Sequence, residues 1–418
     1  MRLQTILNRV QKFKSFVFDG ARWEGTGDQA RLVVRLQPRR NSRPQCSGCG
    51  RPGPIYDHQP ERRFQFVPLW GLLVYFAYRM RRVDCRHCGA VKVERVPWSD
   101  GKNQLTTAYR WFLATWAKRL SWSEVATIFR TSWESVQSAV TYAVEWGLAR
   151  RDLSTVREVG IDEVAWRKGH TYLTLVYEIG AGMKRLLCIE EGRTEESLRR
   201  CFQSLGTTVC QQITFVCSDM WQRYLVVIAE RLSSAVHILD RFHIMQKFGQ
   251  ALDAIRAEES KALVRDGYEP LLKKSRWCLL KRPENLTDRQ TVKLKELLRY
   301  NLRSVRAYLL REDFQRFWDY VSPHWAGKFL DEWIGRVLRC RLEPLKKVAR
   351  TLRAHRTLIL NWFRARGRIS AGAVEGLNNK LKLVTRRSYG FRTASIAKIA
   401  LFHNLGHLPE PQFTHRFC

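Results

Sequence analysis

Hydrophobic and polar positions between residues 157 and 243 first follow the period of strands and then alternate between helix and strand. The segments REVGIDEVAW, TYLTLVYEIG and MKRLLCIEEG carry the apolar and β-branched residues typical of strands, and short glycine-containing turns separate them. A helical segment follows, which begins at Thr194 with early acids and ends at Gly206. The apolar run QITFVCSD, the helical segment MWQRYLVVIAERL and the apolar run SAVHILDRFH complete the pattern. The predicted order is strand, strand, strand, helix, strand, helix, strand.

This order resembles that of the RNase H-like fold, in which three antiparallel strands precede two helix–strand crossovers. Carboxylates at the centre of the first strand and at the end of the fourth strand meet in that fold, and Asp162 and Asp219 occupy these positions. Glu163 is an alternative for the first position. Asp240, at the end of the fifth strand, is an alternative for the second.

The pattern from Ile244 to about Arg368 is helical and has few strand signals. Pro283, Pro323 and Pro344 divide it into four or five helices. Because this region lies between the fifth strand and the C-terminal segment, we predict an all-α insertion within the α/β domain.

Residues 369–418 are predicted to complete the α/β domain with a helix that begins near Ser370 and carries Glu375. From Pro344 to Cys418 the chain has fifteen lysines and arginines but only two acids, of which Glu375 is one. An ordinary position on a helix surface is the alternative, but helix composition alone does not predict an isolated carboxylate there. Glu375 is therefore the third candidate acid.

The N-terminal region contains two cysteine pairs with a two-residue spacing, Cys46-Ser47-Gly48-Cys49 and Cys85-Arg86-His87-Cys88. The segments RRFQFVPLWG and LLVYFAYRMRRVD between them have the pattern of strands. Each spacing allows both thiolates to bind one tetrahedral ion, so Cys46, Cys49, Cys85 and Cys88 are predicted to hold one Zn²⁺. Four thiolates leave no open coordination position, and the ion is therefore expected to be structural. Four unrelated reduced cysteines are the alternative.

Three helices are predicted between residues 104 and 148. The sequences Ser121-x-x-Glu124 and Thr131-x-x-Glu134 match capping boxes about ten residues apart. A short helix, a tight turn and a longer helix are the pattern of a helix-turn-helix, although a helical spacer remains the alternative. The longer helix is the one expected to contact DNA, through Trp133, Ser135, Gln137 and Ser138.

These patterns predict a multidomain chain with one α/β RNase H-like catalytic domain. A length of 418 residues is large for a single core. The predicted parts are a zinc-binding domain (1–97), a helix-turn-helix domain (98–152), the first part of the RNase H-like domain (153–243), the helical insertion (244–368) and the last part of the RNase H-like domain (369–418).

The charge balance predicts a polyanionic partner. The chain has 73 lysines and arginines against 39 acids, a formal net charge of +34 at pH 7. Nucleic acid is the commonest partner for such a charge, and an anionic membrane surface is the weaker alternative because the charge is spread along the chain. No apolar run approaches a membrane span, no secretory signal begins the sequence, and the paired cysteines suit a reducing compartment. We therefore expect a cytoplasmic location.

Positive charge is concentrated near the C-terminus. The segment from Arg336 to Arg368 has eleven lysines and arginines and a single acid, Glu343. A solvated helix surface is the alternative, but this excess favours contact with DNA phosphates. The residues beyond this segment that are expected to make the same contacts are Lys380, Lys382, Arg386 and Arg387.

Three carboxylates from separate elements are the ligands that two hard divalent ions require for phosphodiester chemistry. Asp162 would bind both ions, Asp219 one and Glu375 the other. Asp240 and His243, three residues apart, are expected to hold these ligands in position without binding the ions themselves. The predicted cofactors are thus two Mg²⁺ or Mn²⁺ ions, in addition to the structural Zn²⁺.

The chain resembles a bacterial insertion-sequence transposase of the ISL type. The resemblance rests on CSGCG and CRHCG, SWSEVATIFRTSWESV, GIDEVAWRKGHTY, CSDMWQRY, LDRFH and VEGLNNKLKLVTRRSYGFR, in this order over most of the chain. It implies a DDE enzyme with catalytic Asp162, Asp219 and Glu375. It also implies double-stranded DNA as partner, both the terminal inverted repeats of its own element and the target, an oligomer when the ends are paired, and association with the nucleoid.

Two other functions compete with this interpretation. A DNA-binding regulator derived from a transposase would use the zinc-binding and helix-turn-helix domains without catalysis, but all three acids are present. A repair or junction nuclease with the same fold would not need two DNA-binding modules before its catalytic domain.

Overall fold

The computed structural model describes residues 3–100, 103–167, 169, 171–365 and 372–412. The chain forms two compact units, one of residues 1–151 with 383–418 and one of residues 152–382. The predicted division into five parts is finer than this and stays a prediction. The predicted boundary at residue 368, the predicted cap Ser370, and Lys168 and His170 of the first hairpin turn lie outside the described residues.

The first unit begins with a helix and a five-stranded sheet. Its elements are α1 (Leu3–Val10), β1 (Phe16–Glu24), β2 (Arg31–Pro38), β3 (Ile55–Leu69), β4 (Leu72–Cys85) and β5 (Ala90–Val93). The strand order is β1-β2-β4-β3, β5 pairs with the end of β4, and β2 and β4 are parallel. Aromatic side chains fill the core, where the Trp98 ring contacts Phe13, Phe16, Phe64 and Tyr78.

Three helices follow in the same unit, α2 (Thr107–Ala117), α3 (Trp122–Ile128) and α4 (Trp133–Leu148). The capping box predicted at Ser121 and Glu124 is present with both hydrogen bonds. The box predicted at Thr131 is wrong. Ser132 caps α4 and accepts a hydrogen bond from the Ser135 amide, while the Thr131 amide completes the preceding turn by donating to the Ala126 carbonyl.

The second unit contains the predicted α/β sheet. Its strands are β6 (Glu158–Arg167), β7 (Thr171–Glu178), β8 (Arg185–Glu191), β9 (Phe215–Ser218) and β10 (Val236–Leu239), with helices α5 (Glu195–Leu205), α6 (Thr207–Gln212) and α7 (Gln222–Arg231). The strand order is β10-β9-β6-β7-β8. β6, β7 and β8 are antiparallel, whereas β9 and β10 are parallel to β6. Helices α5 and α7 cover one face over a core that includes Ile161 and Phe202.

The region between β10 and the C-terminal segment is helical, as predicted. Its helices are α8 (Arg241–Arg265), α9 (Arg276–Leu280), α10 (Asp288–Leu297), α11 (Arg303–Gln315), α12 (Pro323–Arg339), α13 (Glu343–Ala354) and α14 (Arg356–Arg364). The described residues thus contain seven helices where four or five were predicted. Besides the breaks at the three prolines, the chain is interrupted after Arg265, after Leu297 and at His355. Their aromatic core includes Phe248, Phe314, Phe317 and Trp333.

Two helices end the described chain, α15 (Gly372–Arg387) and α16 (Ala394–Leu405). The first turns of α15 pack on the sheet of the second unit, and α16 belongs to the first unit. Within the described residues, every helix is too short or too polar to cross a membrane.

Candidate functional site

Asp162 lies in the middle of β6, the central strand of the second sheet. Its Oδ1 atom accepts a hydrogen bond from the Glu163 amide at 2.8 Å, and its Oδ2 atom accepts one from Asn378 Nδ2 at 2.6 Å. The Tyr177 hydroxyl donates to Asn378 Oδ1 at 2.9 Å. Because Tyr177 and Asn378 are buried, this series of hydrogen bonds fixes the orientation of the Asp162 carboxylate.

The close approach of α15 to β6 depends on Gly160. The residues on either side of Gly160 pack against α5 and α7, so the opposite face of the strand at Gly160 is turned toward α15. A Cβ atom at Gly160 would lie 2.4 Å from Val374 Cγ2 and 3.1 Å from Ile179 Cγ2. The missing side chain therefore allows α15 to lie directly on the strand that carries Asp162.

Glu375 lies in the first turn of α15, three residues before Asn378, and is exposed. Its negative charge is among the causes that raise the pKa of Asp240, so these two acids are electrostatic neighbours. The helix that orients Asp162 through Asn378 therefore also brings Glu375 to the site.

Asp219 follows β9, the parallel neighbour of β6, and Arg193 links it to Glu163. The Arg193 guanidinium lies 2.6 Å from Glu163 Oε1 and 3.8 Å from Asp219 Oδ2. Asp219 Oδ1 accepts a hydrogen bond from the Trp221 amide at 3.0 Å. The buried Glu163 Oε2 atom has no hydrogen-bond partner in the part of the chain that the structure describes, so one carboxylate oxygen of the site remains unsatisfied.

Burial and mutual repulsion favour the protonated forms of these acids. Burial raises the pKa of Asp162, and the charge of Asp219 adds to this effect. Burial also raises the pKa of Glu163 to about 7, and the charge of Asp219 is the second cause of this shift. The ion pair with Arg193 opposes the shift of Glu163 without cancelling it. A cation placed among these carboxylates would favour their charged forms.

Asp240 begins helix α8 and also faces the other acids. Its Oδ1 atom accepts a hydrogen bond from the Phe242 amide at 2.7 Å, and His243 Nε2 lies 3.6 Å from its Oδ2 atom. Burial raises the pKa of Asp240 to about 6, with smaller contributions from Asp162 and Glu375. The expected supporting role of Asp240 and His243 stays a prediction, and the structure adds a second role for Asp240 as the N-cap of α8.

Two residues of this cluster, Arg193 and Asn378, were missed in the sequence. Asn378 follows Glu375 by three residues, which places both on one side of a helix, and this spacing is a signal that identifies it. No comparable signal marks Arg193, because its contact with Glu163 depends on how the turn that follows β8 is placed relative to β6, which is two strands away in the sheet.

The four predicted zinc ligands form one cluster in the first unit, with all ligand atoms within 4.8 Å of one another. The Sγ atoms of Cys46 and Cys88 are 3.8 Å apart, and those of Cys49 and Cys85 are 3.5 Å apart. Tetrahedral zinc with bonds of about 2.3 Å places its sulfur ligands about 3.8 Å apart. Hydrogen bonds from the amides of Cys49 and Gly48 lower the pKa of the Cys46 thiol to about 7. The cluster therefore fits a structural Zn²⁺.

The ligands of this cluster differ in their access to solvent. Cys46 and Cys85 are buried, Cys49 is partly buried and Cys88 is exposed. Each pair is followed by a glycine with positive φ, 71° at Gly50 and 62° at Gly89. This conformation favours glycine and turns the chain around the sulfur atoms.

The cysteine cluster and the region that carries the candidate acids each match a known protein family. Residues 42–88 match the profile described as "zinc-finger of transposase IS204/IS1001/IS1096/IS1165". Residues 159–400, more than half of the chain, match the ISL3 profile described as "Transposase". The chain belongs to the ISL3 family of transposases. Family membership implies an enzyme that binds DNA, cleaves it and transfers strands.

Individual relatives of this transposase are similar over most of their length. The transposase for insertion sequence element IS1557 of Mycobacterium tuberculosis (strain H37Rv) is 30% identical over 413 residues, which are 92% of this chain and 91% of the relative. The transposase for insertion sequence element IS1001 of Bordetella parapertussis is 29% identical over 350 residues, which are 83% of this chain and 85% of the relative.

The predicted DNA-contacting residues of α4 differ in exposure in this transposase. Trp133 is partly buried and packs against Trp122, with 5.5 Å between ring centroids. Gln137 is partly buried and Ser138 is exposed. Ser135 and Ser138 line a groove of about 720 Å³ within the first unit. Other residues that line this groove are Arg62, Arg63 and Gln65 of β3. The serines therefore share their groove with cations of the sheet, and base contact stays a prediction.

The basic residues of α15 differ in whether their side chains are exposed or hydrogen-bonded within the protein. Lys380, Lys382 and Arg386 are exposed. The Arg387 guanidinium instead donates to the Lys118 carbonyl at 2.8 Å and to Asn404 Oδ1 at 2.9 Å. Arg387 therefore departs from the expected phosphate contact, because its donors already join α15 to α2 and α16.

Several cations of the segment from residue 336 to 365 are neutralised locally. Arg336 pairs with Asp313 at 2.6 Å, Arg350 with Glu343 at 2.7 Å and Arg356 with Asp331 at 2.8 Å. Two of these acids lie in earlier helices, so the segment offers less free positive charge than its sequence suggests. Residues 366–368 of the predicted basic segment lie outside the described residues.

Proposed function

We propose that this transposase cleaves and joins DNA strands at the ends of its own insertion sequence, with Asp162, Asp219 and Glu375 as ligands of two divalent ions, Mg²⁺ or Mn²⁺. The observation that carries the proposal is the contact between β6 and α15. Asn378 donates a hydrogen bond to Asp162, and Glu375 lies three residues before Asn378. Asp219 ends the neighbouring strand and interacts electrostatically with Asp162. Elements distant in sequence thus bring these carboxylates toward one site.

The topology of the second unit supports an RNase H-like catalytic domain. Three antiparallel strands are extended on the side of β6 by two parallel strands, in the order β10-β9-β6-β7-β8. Helices α8 to α14 lie between β10 and α15, which supports a helical insertion before the last acid. In this arrangement Asp162 is central, Asp219 is at the end of the fourth strand, and Glu375 is on the closing helix.

The oxygen-rich composition of the site fits hard divalent cations. Mg²⁺ and Mn²⁺ prefer carboxylate and water ligands. The unsatisfied Glu163 Oε2 atom and the repulsion between Asp162 and Asp219 are features that a bound cation would relieve. When bound, two such ions activate the attacking oxygen and stabilise the leaving oxygen of a phosphodiester.

The residues of the chain itself have distinct tasks in this proposal. Asn378, held by Tyr177, orients Asp162. Arg193 has a third of its side chain exposed, so its guanidinium can donate to a DNA phosphate while it stays beside Glu163. His243 Nε2 lies 3.6 Å from Asp240 Oδ2, so a protonated His243 ring would oppose the negative charge of Asp162 and Asp240.

The first unit supplies the DNA-binding part of the proposal. Helices α3 and α4, with the capping box of Ser121 and the cap Ser132, have the lengths expected for a helix-turn-helix. We assign recognition of the terminal inverted repeats to this pair of helices, beside a zinc ribbon that is structural. An oligomer that pairs two ends, and association with the bacterial nucleoid in the cytoplasm, follow from the same function.

Cleavage of DNA that carries the ends of the element tests the proposal. Asp162→Ala, Asp219→Ala and Glu375→Ala should each lower cleavage in Mg²⁺ by at least about 100-fold, while affinity for end DNA stays near that of the wild type. Binding of Mn²⁺, measured by calorimetry, should weaken in the same variants. Glu269→Ala, an exposed acid of the second unit, is the matched control.

Two outcomes would change the assignment. Loss of cleavage in Asp240→Asn together with full cleavage in Asp219→Asn would make Asp240 the second ligand. Specific binding of end DNA by a wild-type protein that never cleaves it in Mg²⁺ or Mn²⁺ would favour a DNA-binding regulator.

A further inference from the structure

A groove of about 330 Å³ lies beside the candidate acids in the second unit. Glu163 and Asp219 form part of its lining, and Arg193 and Trp221 form another part. The remaining lining comes from Met220 and from the first turns of α8. The proposed catalytic mechanism gives no task to these α8 residues beyond His243.

One face of α8 is directed into this groove. His243, Gln246, Lys247 and Gln250 follow the spacing i, i+3, i+4 and i+7, which places them on a single side of the helix. Gln246, Lys247 and Gln250 are exposed. The opposite side of the helix packs into the apolar core through residues that include Phe248. The face toward the groove is thus polar, carries one cation and has no acid.

Arg193 and Trp221 add a second cation and an aromatic ring to the groove. The Cζ atom of Arg193 lies 4.4 Å from the centroid of the Trp221 ring, and the Arg193 Nε atom is buried without a hydrogen-bond partner among the described residues. Cations combined with aromatic and amide side chains are typical of sites for single-stranded nucleic acid. Glutamine amides both donate and accept, so they suit base edges as well as phosphates.

We infer that this groove binds the DNA strand next to the scissile phosphate in single-stranded form, with Arg193 and Lys247 on phosphates and Gln246 and Gln250 on the exposed nucleotide. Its volume is at the lower end of small-ligand sites, which suits a nucleotide of one strand. The inference rests on the proposed function, because the bound strand is the one that the acids cleave.

Photocrosslinking tests where the strand lies without requiring cleavage. The photoreactive residue p-benzoylphenylalanine is introduced as Gln250→p-benzoylphenylalanine, and as Lys261→p-benzoylphenylalanine for the control, an exposed position farther along α8. The probe is end DNA with a single-stranded flank at the cleavage position, bound in Ca²⁺. We expect a crosslink to the flank from position 250 and none from position 261.

The salt dependence of binding provides a second measurement. Lys247→Ala should lower the slope of log affinity against log salt by about 0.7 for the flanked DNA, the value for one phosphate contact to a single strand. The slope for blunt duplex ends should not change. Lys261→Ala should change neither slope. Thermal unfolding of each variant is expected to match the wild type, because all of these side chains are exposed.

The outcomes separate this inference from the proposed function. No crosslink from position 250, or equal slope changes for flanked and blunt DNA, would overturn the groove assignment even if Asp162→Ala abolishes cleavage. A crosslink from position 250 with the expected slope change would support it, including in a protein whose Asp162→Ala variant still cleaves. In that last case the groove would stand and the assignment of the acids would fall.

Discussion

Replacing Gly160 with alanine should reduce activity without removing any polar group from the site. The new Cβ atom would lie 2.4 Å from Val374 Cγ2, whereas carbon atoms in contact are normally about 3.5–4.0 Å apart. Relief of this overlap requires α15 to move away from β6 by roughly 1 Å. Since Asn378 and Glu375 are on that helix, both the hydrogen bond to Asp162 and the position of the third acid would change.

The expected size of the effect follows from this displacement. Overpacking of a core typically costs about 1–3 kcal/mol of unfolding free energy. A misplacement of about 1 Å in a catalytic site costs about 100-fold in rate. Gly160→Ala should therefore remain folded, with a lower unfolding free energy, and should cleave end DNA about 100-fold more slowly than the wild type.

A second substitution in the contact makes the assay specific. Val374→Ala removes the Cγ2 atom that the new Cβ atom meets, so the double variant should recover part of both rate and stability. The coupling energy between the two changes should be about 0.5–3 kcal/mol in the favourable direction. Unfolding by denaturant and cleavage in Mg²⁺ are measured for both single variants, the double variant and Gly182→Ala, where no atom lies within 4 Å of the added Cβ.

Two results would refute this reasoning. The first is a Gly160→Ala protein with wild-type rate and stability, which would mean that α15 does not need its close contact with β6. The second is a double variant as impaired as the sum of its single changes, which would mean that Val374 is not the group in conflict.

Three further predictions concern other parts of the chain. Cys85→Ser should lose about one zinc ion per chain, measured by metal analysis, and should destabilise the first unit. Cys278→Ser, which changes a buried thiol outside the cluster, should keep the zinc ion. A fully folded wild-type protein without zinc would contradict this prediction. Arg386→Ala should lower the slope of log DNA affinity against log salt by about 0.9 without changing stability. Arg387→Ala should instead lower the melting temperature, because the hydrogen bonds of Arg387 to Lys118 and Asn404 are internal. The reverse pattern would exchange the roles of the two arginines. Burial lowers the pKa of His237 to about 4, below the ordinary value of about 6.5. The contribution of His237 to the unfolding free energy is therefore fully present above pH 6.5, and up to about 3 kcal/mol of it is lost as the pH falls to 4. The raised pKa values of Glu163 and Asp240 increase stability as the pH falls over the same interval, so the wild type alone does not isolate the effect of His237. The unfolding free energies of wild type and His237→Asn are therefore compared at pH 7.5 and 4.5. A difference between the two proteins that stays constant with pH would contradict the assignment.

The order of elements in the second unit was predictable from the sequence because each strand and helix has a clear period. All five strands from β6 to β10 are present where the pattern places them. Local chemistry also identified the cap Thr194, the end at Gly206 and the cysteine pairs. These features depend on neighbours only a few residues away, and the sequence contains that information directly.

Contacts between distant residues were not predictable in the same way. Asn378 and Asp162 are separated by 216 residues, and their hydrogen bond depends on the small space that Gly160 leaves for α15. The internal role of Arg387 likewise depends on a carbonyl group 269 residues earlier. Composition identifies such residues only as an amide and a cation, so their roles require the packing of the elements that carry them.

The unequal exposure of the four cysteines has a kinetic consequence for the zinc ribbon. An ion held by this cluster is covered on the side of Cys46 and Cys85 and open on the side of Cys88. A chelator or an oxidant therefore reaches Cys88 first, and the two buried thiolates last. Release of the ion should therefore begin with detachment of the Cys88 thiolate, and protection of this one side chain should slow the loss of zinc.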